Sequence, residues 1–116
     1  MDSIKTKPTA LFVVSAFVVL PVFVPSAWSA EAKEGKATYD KVCASCHGAD
    51  GKGNPMMAEA FGENTLNLTR KETVQKKDEE LLKVIVEGKG KMPASGKGLN
   101  KQEQKQLIDY VRSLAK

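Results

Sequence analysis

Cys43-Ala44-Ser45-Cys46-His47 is the tightest constraint in the sequence, because two thiols three residues apart followed directly by an imidazole are what covalent attachment of a c-type haem requires. Each thiol can form a thioether with one haem vinyl group, and His47 is then delivered to one face of the iron. A fold built on this chain therefore has to wrap a large, flat, apolar group. Three other readings compete. A structural zinc site needs four Cys or His ligands, and the chain holds two Cys and one His in total. A thioredoxin-like redox pair calls for a preceding strand in a βαβ setting, whereas residues 33–42 read as helix. A plain Cys43–Cys46 disulfide is the third.

Residues 1–29 read as a cleaved export signal. Lys5 and Lys7 give a positive start, residues 11–24 form an apolar run broken by Pro21, and Ala27-Trp28-Ser29 or Ala30-Glu31-Ala32 supplies the small residues a signal peptidase reads. Cleavage is expected between residues 29 and 32, leaving a single domain over residues 30–116. An apolar run of that length containing a proline falls short of the ~20 residues that span hydrocarbon, so no stable membrane anchor is expected. Haem of this type is joined after export, which makes the expected compartment the periplasm of a bacterium.

The mature chain has roughly 87 residues, enough for one small domain. Its aromatic residues are Tyr39, Phe61 and Tyr110 alone. Such a core is thin, and a flat apolar cofactor would complete it, so the protein without its cofactor is expected to fold poorly. Removing Lys5, Lys7 and Asp2 leaves 16 basic and 13 acidic residues, a net of +3. That is mildly basic and not the signature of a nucleic-acid binder.

Ala32, Gly35, Tyr39 and Val42 recur at helical spacing and lead into the Cys-His motif. A glycine inside that helix costs about 1 kcal/mol against alanine and asks for a reason. Thr69-Arg70-Lys71-Glu72 has the form of a capping box and predicts a short second helix. Asp78-Glu79-Glu80 places negative charge at the start of a third, ahead of Leu81, Leu82, Ile85 and Val86, with Gly88 to close it. Asn100 and Glu103 cap a last helix carrying Leu107, Tyr110, Val111 and Leu114. Between these, residues 48–67 carry four glycines and Pro55, and residues 88–98 carry four glycines and Pro93; both read as irregular. The fold class is all-α with two long loops.

The second loop holds the other informative residue. Iron with a histidine on one side accepts a sixth ligand, and a thioether suits a site that only passes electrons. Met92 stands before Pro93, which pushes it into an extended conformation able to carry a side chain across a flat ring. Met92 is the candidate ligand; Met56 and Met57 are the alternatives.

Taken together, these segments resemble a small single-haem bacterial class I cytochrome c. The matching residues are the first helix, the Cys43–His47 motif, Gly48-Ala49-Asp50-Gly51-Lys52-Gly53, Lys91-Met92-Pro93-Ala94 and Tyr110-Val111-Arg112-Ser113-Leu114. The resemblance covers essentially the whole mature chain. It implies a compact fold of about four helices round one covalent haem c, with Cys43 and Cys46 holding the haem and His47 and Met92 binding the iron. It also implies that the first and last helices cross with Gly35 close to Tyr110, and that His47 donates its second ring N–H to the carbonyl of Asn54 or Pro55. Many relatives hold a propionate with tryptophan, which the mature chain lacks; Arg70, Lys71, Asn67 or backbone N–H groups stand in.

Two neutral ligands leave no open position for a substrate, so the expected role is a soluble one-electron carrier, not an enzyme. Its expected partners are redox proteins, a donor and an acceptor with acidic docking surfaces, met as a monomer. Lys52, Lys89, Lys91 and Lys97 are expected, by the resemblance, to ring the haem edge, with Asp78-Glu79-Glu80 at the far end. One rival is a peroxidase or gas-binding haem protein, for which Arg70 or Arg112 would have to act beside the iron. Another is a haem subunit docked on a dehydrogenase or oxidase.

Overall fold

The computed structural model describes residues 27–116, together with Ala10 and residues 17–19; most of the expected signal segment lies outside the described residues. Seven helices occur among them: α1 (Ala27–Val42), α2 (Ala44–His47), α3 (Pro55–Phe61), α4 (Glu63–Leu66), α5 (Lys71–Val74), α6 (Asp78–Glu87) and α7 (Lys101–Ser113). The one β-type pairing among the described residues is the bridge between Lys89 and Met92. The molecule is all-α, as its sequence implies. No helix among the described residues is long and apolar enough to cross a membrane.

α1 packs chiefly on α7, and Gly35 marks the crossing. A Cβ there would collide with the carbonyl oxygen of Gln106 and sit 3.1 Å from Tyr110 Cβ. Close approach of two backbones is thus what the glycine provides, in return for its lower helical propensity. One turn further on, Tyr39 and Leu107 are both fully buried, and they form a core with Cys43 and Val111. The Tyr39 and Tyr110 rings meet at 5.1 Å with a 58° tilt, a favoured aromatic geometry. Ile85 of α6, Leu68, Leu99 and Leu114 pack round this core.

The helix ends follow local chemistry. Asn100 Oδ1 accepts from the backbone N–H groups of Gln102 and Glu103, and Glu103 Oε2 accepts in return from Asn100 N–H at 2.8 Å, a complete capping box. At α6, Glu80 reaches back to Lys77 N–H at 2.9 Å, and Gly88 closes the last turn. The predicted box at Thr69 does not form. Thr69 turns its N–H and hydroxyl to Asn67 Oδ1, Glu72 pairs with Arg70, and α5 starts at Lys71 behind Arg70. Nor is the stretch 48–67 all loop: Asn54 Oδ1 accepts from Met56 N–H and Pro55 occupies the first turn, which starts α3.

Candidate haem site

α1 gives way to α2 at Cys43, yet the helical screw continues through the break. The Cys43 N–H donates to Tyr39 O at 2.9 Å, and the Cys43 carbonyl accepts from Cys46 N–H at 3.2 Å and His47 N–H at 3.0 Å. Positions i, i+3 and i+4 on such a screw share one face, so Cys43, Cys46 and His47 are brought side by side. Both thiols are unpaired. Cys43 lies in the core against α7, and burial, followed by the neighbouring Cys46, pushes its thiol up to about 11. Such a thiol stays protonated at neutral pH. Redox-active Cys-x-x-Cys pairs do the opposite and lower the attacking thiol.

His47 is buried, with Nδ1 2.7 Å from the carbonyl oxygen of Leu66. A carbonyl only accepts, so Nδ1 carries the proton and Nε2 presents its lone pair. The acceptor is therefore Leu66 and not Asn54 or Pro55, as the resemblance implied. Asn54 O is already used by Met57 and Ala58 N–H groups at 3.0 Å, because the chain has turned there into α3. Leu66 is carried back to the motif by the α3–α4 segment, and Leu68 N–H anchors the return by donating to Gly51 O at 2.7 Å.

The carbonyls at the C-terminal end of the motif all find donors, which answers the usual orphan problem of a short helix. Asn54 Nδ2 donates to Ser45 O at 2.8 Å and Asn54 N–H to Cys46 O at 2.9 Å. Gly53 N–H donates to His47 O at 2.7 Å, and the Tyr39 hydroxyl to Gly48 O at 2.7 Å. Asn54 thus caps α3 and closes the motif at once. The Asn54-Pro55 pair was a visible sequence signal for that role, overshadowed by the surrounding glycines.

Met92 lies half-buried in the loop between α6 and α7, where Lys89 and Met92 exchange two backbone hydrogen bonds at 3.0 Å. Met56 on α3 is 87% exposed and Met57 half-buried. Among the residues expected near the propionates, Arg70 divides its guanidinium between Asn64 O and Glu72. Asn67 uses its oxygen on Thr69, which leaves its amide N–H groups as donors. Two unpaired thiols and an imidazole with an available Nε2, all on one helical face, are the donor set that a c-type haem takes.

The family model described as cytochrome C oxidase, cbb3-type, subunit III matches residues 30–111. No curated protein and no solved structure matches. With the family model spanning most of the chain and the motif on one face, the chain belongs to this cytochrome c family, whose domain implies electron transfer through the iron of a c-type haem.

Proposed function

We propose that this chain is an exported one-electron carrier of the bacterial periplasm, its haem held by Cys43 and Cys46 and its iron bound by His47 and Met92. The observation that carries the reading is the motif face with His47 Nδ1 tied to Leu66 O. When bound, a c-type haem supplies an iron that takes up and returns one electron. In attachment, each S–H adds across one vinyl double bond with its hydrogen going to carbon, so no leaving group and no oxidant is needed. The Leu66 carbonyl fixes the imidazole tautomer and holds the ring orientation, and it raises the basicity of Nε2. Met92 contributes a neutral thioether, which donates poorly to the oxidised metal and so favours the reduced state. With the haem bound, a reduced donor would supply one electron and an oxidised acceptor would take it, and neither His47 nor Met92 would have to gain or lose a proton.

The arginines speak against an enzymatic rival. Arg112 is held by Asp78 at 2.8 Å and by the carbonyls of Val74 and Lys76 at 2.9 and 2.8 Å. Arg70 is engaged by Asn64 and Glu72. The optical spectrum of the purified protein tests the assignment. A low-spin haem that survives acid-acetone extraction and shows a sulfur-to-iron charge-transfer band is expected, and Met92→Ala should abolish the band and open the iron to carbon monoxide and cyanide. The same loss in Met56→Ala or Met57→Ala, with Met92→Ala unchanged, would overturn it.

Exposed lysines on the loops supply the charge for the proposed docking face; Lys33, Lys41 and Lys101 are likewise exposed on α1 and α7. On α1 and α7, Lys36 and Lys105 pair with Asp40 and Asp109. Lys52, Lys89, Lys91 and Lys97 are exposed and make no ion pair among the described residues, although Glu63 lines the same hollow as Lys52. Electron transfer to an acidic redox protein should slow as salt rises, and slow several-fold more when Lys52, Lys91 and Lys97 become glutamine. Rates indifferent to both changes would remove the basic docking face.

A second reading comes from the family description: the domain serves as a haem subunit of a terminal oxidase. Mild solubilisation of membranes separates the two. Co-purification with an integral-membrane oxidase favours the subunit, and recovery as a free monomer in the periplasmic fraction favours the carrier.

A further inference from the structure

The loop that carries Met92 leaves α6 and returns to the same helical turn, and a glycine stands at each landing point. Gly88 follows α6 with φ 78°, its N–H donating to Val84 O at 2.9 Å. A Cβ at this position would lie 2.7 Å from the Met92 carbonyl oxygen and 3.1 Å from Ala94 N. The chain turns through Lys89–Met92 and comes back at Gly96, which is buried and donates its N–H to Ile85 O at 2.8 Å. A Cβ on Gly96 would overlap Ile85 Cγ2 and approach Ile85 O to 3.2 Å. Ile85 itself packs on the Tyr39, Cys43, Leu107 and Val111 core. The loop's other two glycines are different: a methyl on Gly90 or Gly98 would meet nothing within 4 Å.

We infer that Gly88 and Gly96 are positioning residues for the sixth ligand, clamping the Met92 loop onto the last turn of α6 so that the site stays closed to small ligands such as carbon monoxide. The inference rests on Met92 being that ligand. A neutral thioether forms a weak bond, and its occupancy depends on the effective concentration at which the loop presents it. Clamping both ends of a seven-residue excursion, 89–95, keeps that concentration high. A methyl at either landing point lifts the loop from Ile85 or from its own returning segment. The ligand is then released more often, while α1, α6 and α7 stay packed.

The test uses the haem-loaded full chain and reads the rate of carbon monoxide binding to the reduced form and the sulfur-to-iron band of the oxidised form, beside the melting temperature. Gly96→Ala and Gly88→Ala should speed carbon monoxide binding about tenfold and weaken the band, the scale expected for a small overpacking strain. Gly98→Ala, at an open position with ordinary φ, should stay within about twofold of the parent rate. Ile85→Leu removes Cγ2 and makes room, so Gly96→Ala/Ile85→Leu should recover slow binding. If Gly96→Ala fails to load haem, that double variant decides: a closed site supports the clamp and an open one overturns it. Parent-like rates in both alanine variants, or equal acceleration by Gly98→Ala, also overturn it. Met92→Ala is run in parallel. If it leaves the band intact, the ligand assignment has failed; if it abolishes the band while the glycine variants do nothing, only the clamp has.

Discussion

The His47 segment and the Met92 loop hold their key residues by opposite means. Around His47, the four carbonyls from Ser45 to Gly48 receive donors from Tyr39, Gly53 and Asn54, all close by in sequence. The Met92 loop has the Lys89–Met92 pair and three short-range bonds after it, Ser95 N–H to Pro93 O, Lys97 N–H to Ala94 O and Leu99 N–H to Gly96 O, and it leans on α6 through Gly96 and Ile85. One long-range side-chain contact adds to it: Lys91 Nζ lies 5.2 Å from the Phe61 ring centroid and 3.5 Å from Ala60 O. The difference teaches that the backbone around His47, the proposed first ligand, is held by hydrogen bonds to near neighbours in sequence, while its ring is held from 19 residues away by Leu66 O. The second is set by packing, and it is only as firm as the platform beneath it.

That contrast breaks most sharply at the shared platform. Gly35→Ala forces α1 away from Gln106 on α7 and should cost about 3 kcal/mol, or roughly 15 °C in the melting temperature of the haem-loaded protein. Both regions should loosen, because Tyr39 and Ile85 rest on the same core. A melt that shifts by less than a few degrees would mean that the crossing relaxes without strain.

Asn54→Ala sharpens the comparison by attacking one side alone. It removes the α3 cap and the donor to Ser45 O, a loss of about 2 kcal/mol. The sulfur-to-iron band should be unchanged, since Met92 shares no bond with Asn54. A bleached band would show that the two regions are coupled.

The smallest expected effect comes from Tyr39→Phe, which loses the bond to Gly48 O at about 1 kcal/mol near pH 7. Its pH dependence carries a sign. Burial first, then the nearby Cys43, raises the Tyr39 phenol well above its usual value of 10.0. The folded state therefore keeps the proton that the unfolded chain releases, so this contribution is complete below pH 10 and is lost as pH rises past it, by about 1.4 kcal/mol per pH unit. The stability gap between the parent and Tyr39→Phe should narrow above pH 10 in denaturant titrations. A gap constant from pH 7 to 11 would mean that Tyr39 ionises freely in the fold.

Much of the site was legible because it is local. Three residues at i, i+3 and i+4 share a face on any helix, the Asn100–Glu103 box needs only four residues, and Gly35 inside a helix announces a close neighbour. The misreadings share a cause as well. Asn54-Pro55 starts a helix in a stretch whose glycines suggested loop, and Thr69 spends its hydroxyl on Asn67 instead of a helix end; each choice was made by a competing partner that the local pattern also allowed.

What the sequence alone made legible is the c-type haem motif, the all-α class, both ends of α6 and the start of α7, because helical periodicity, capping and motif spacing act over a few residues. Only the tertiary structure decided that Leu66 O accepts the hydrogen bond from His47 Nδ1–H and that the Met92 loop is seated on Ile85. Those contacts join residues 19 apart in one case and opposite ends of a loop in the other. They exist only once the chain has folded back on itself, where backbone direction and the room left by a missing Cβ select the partner.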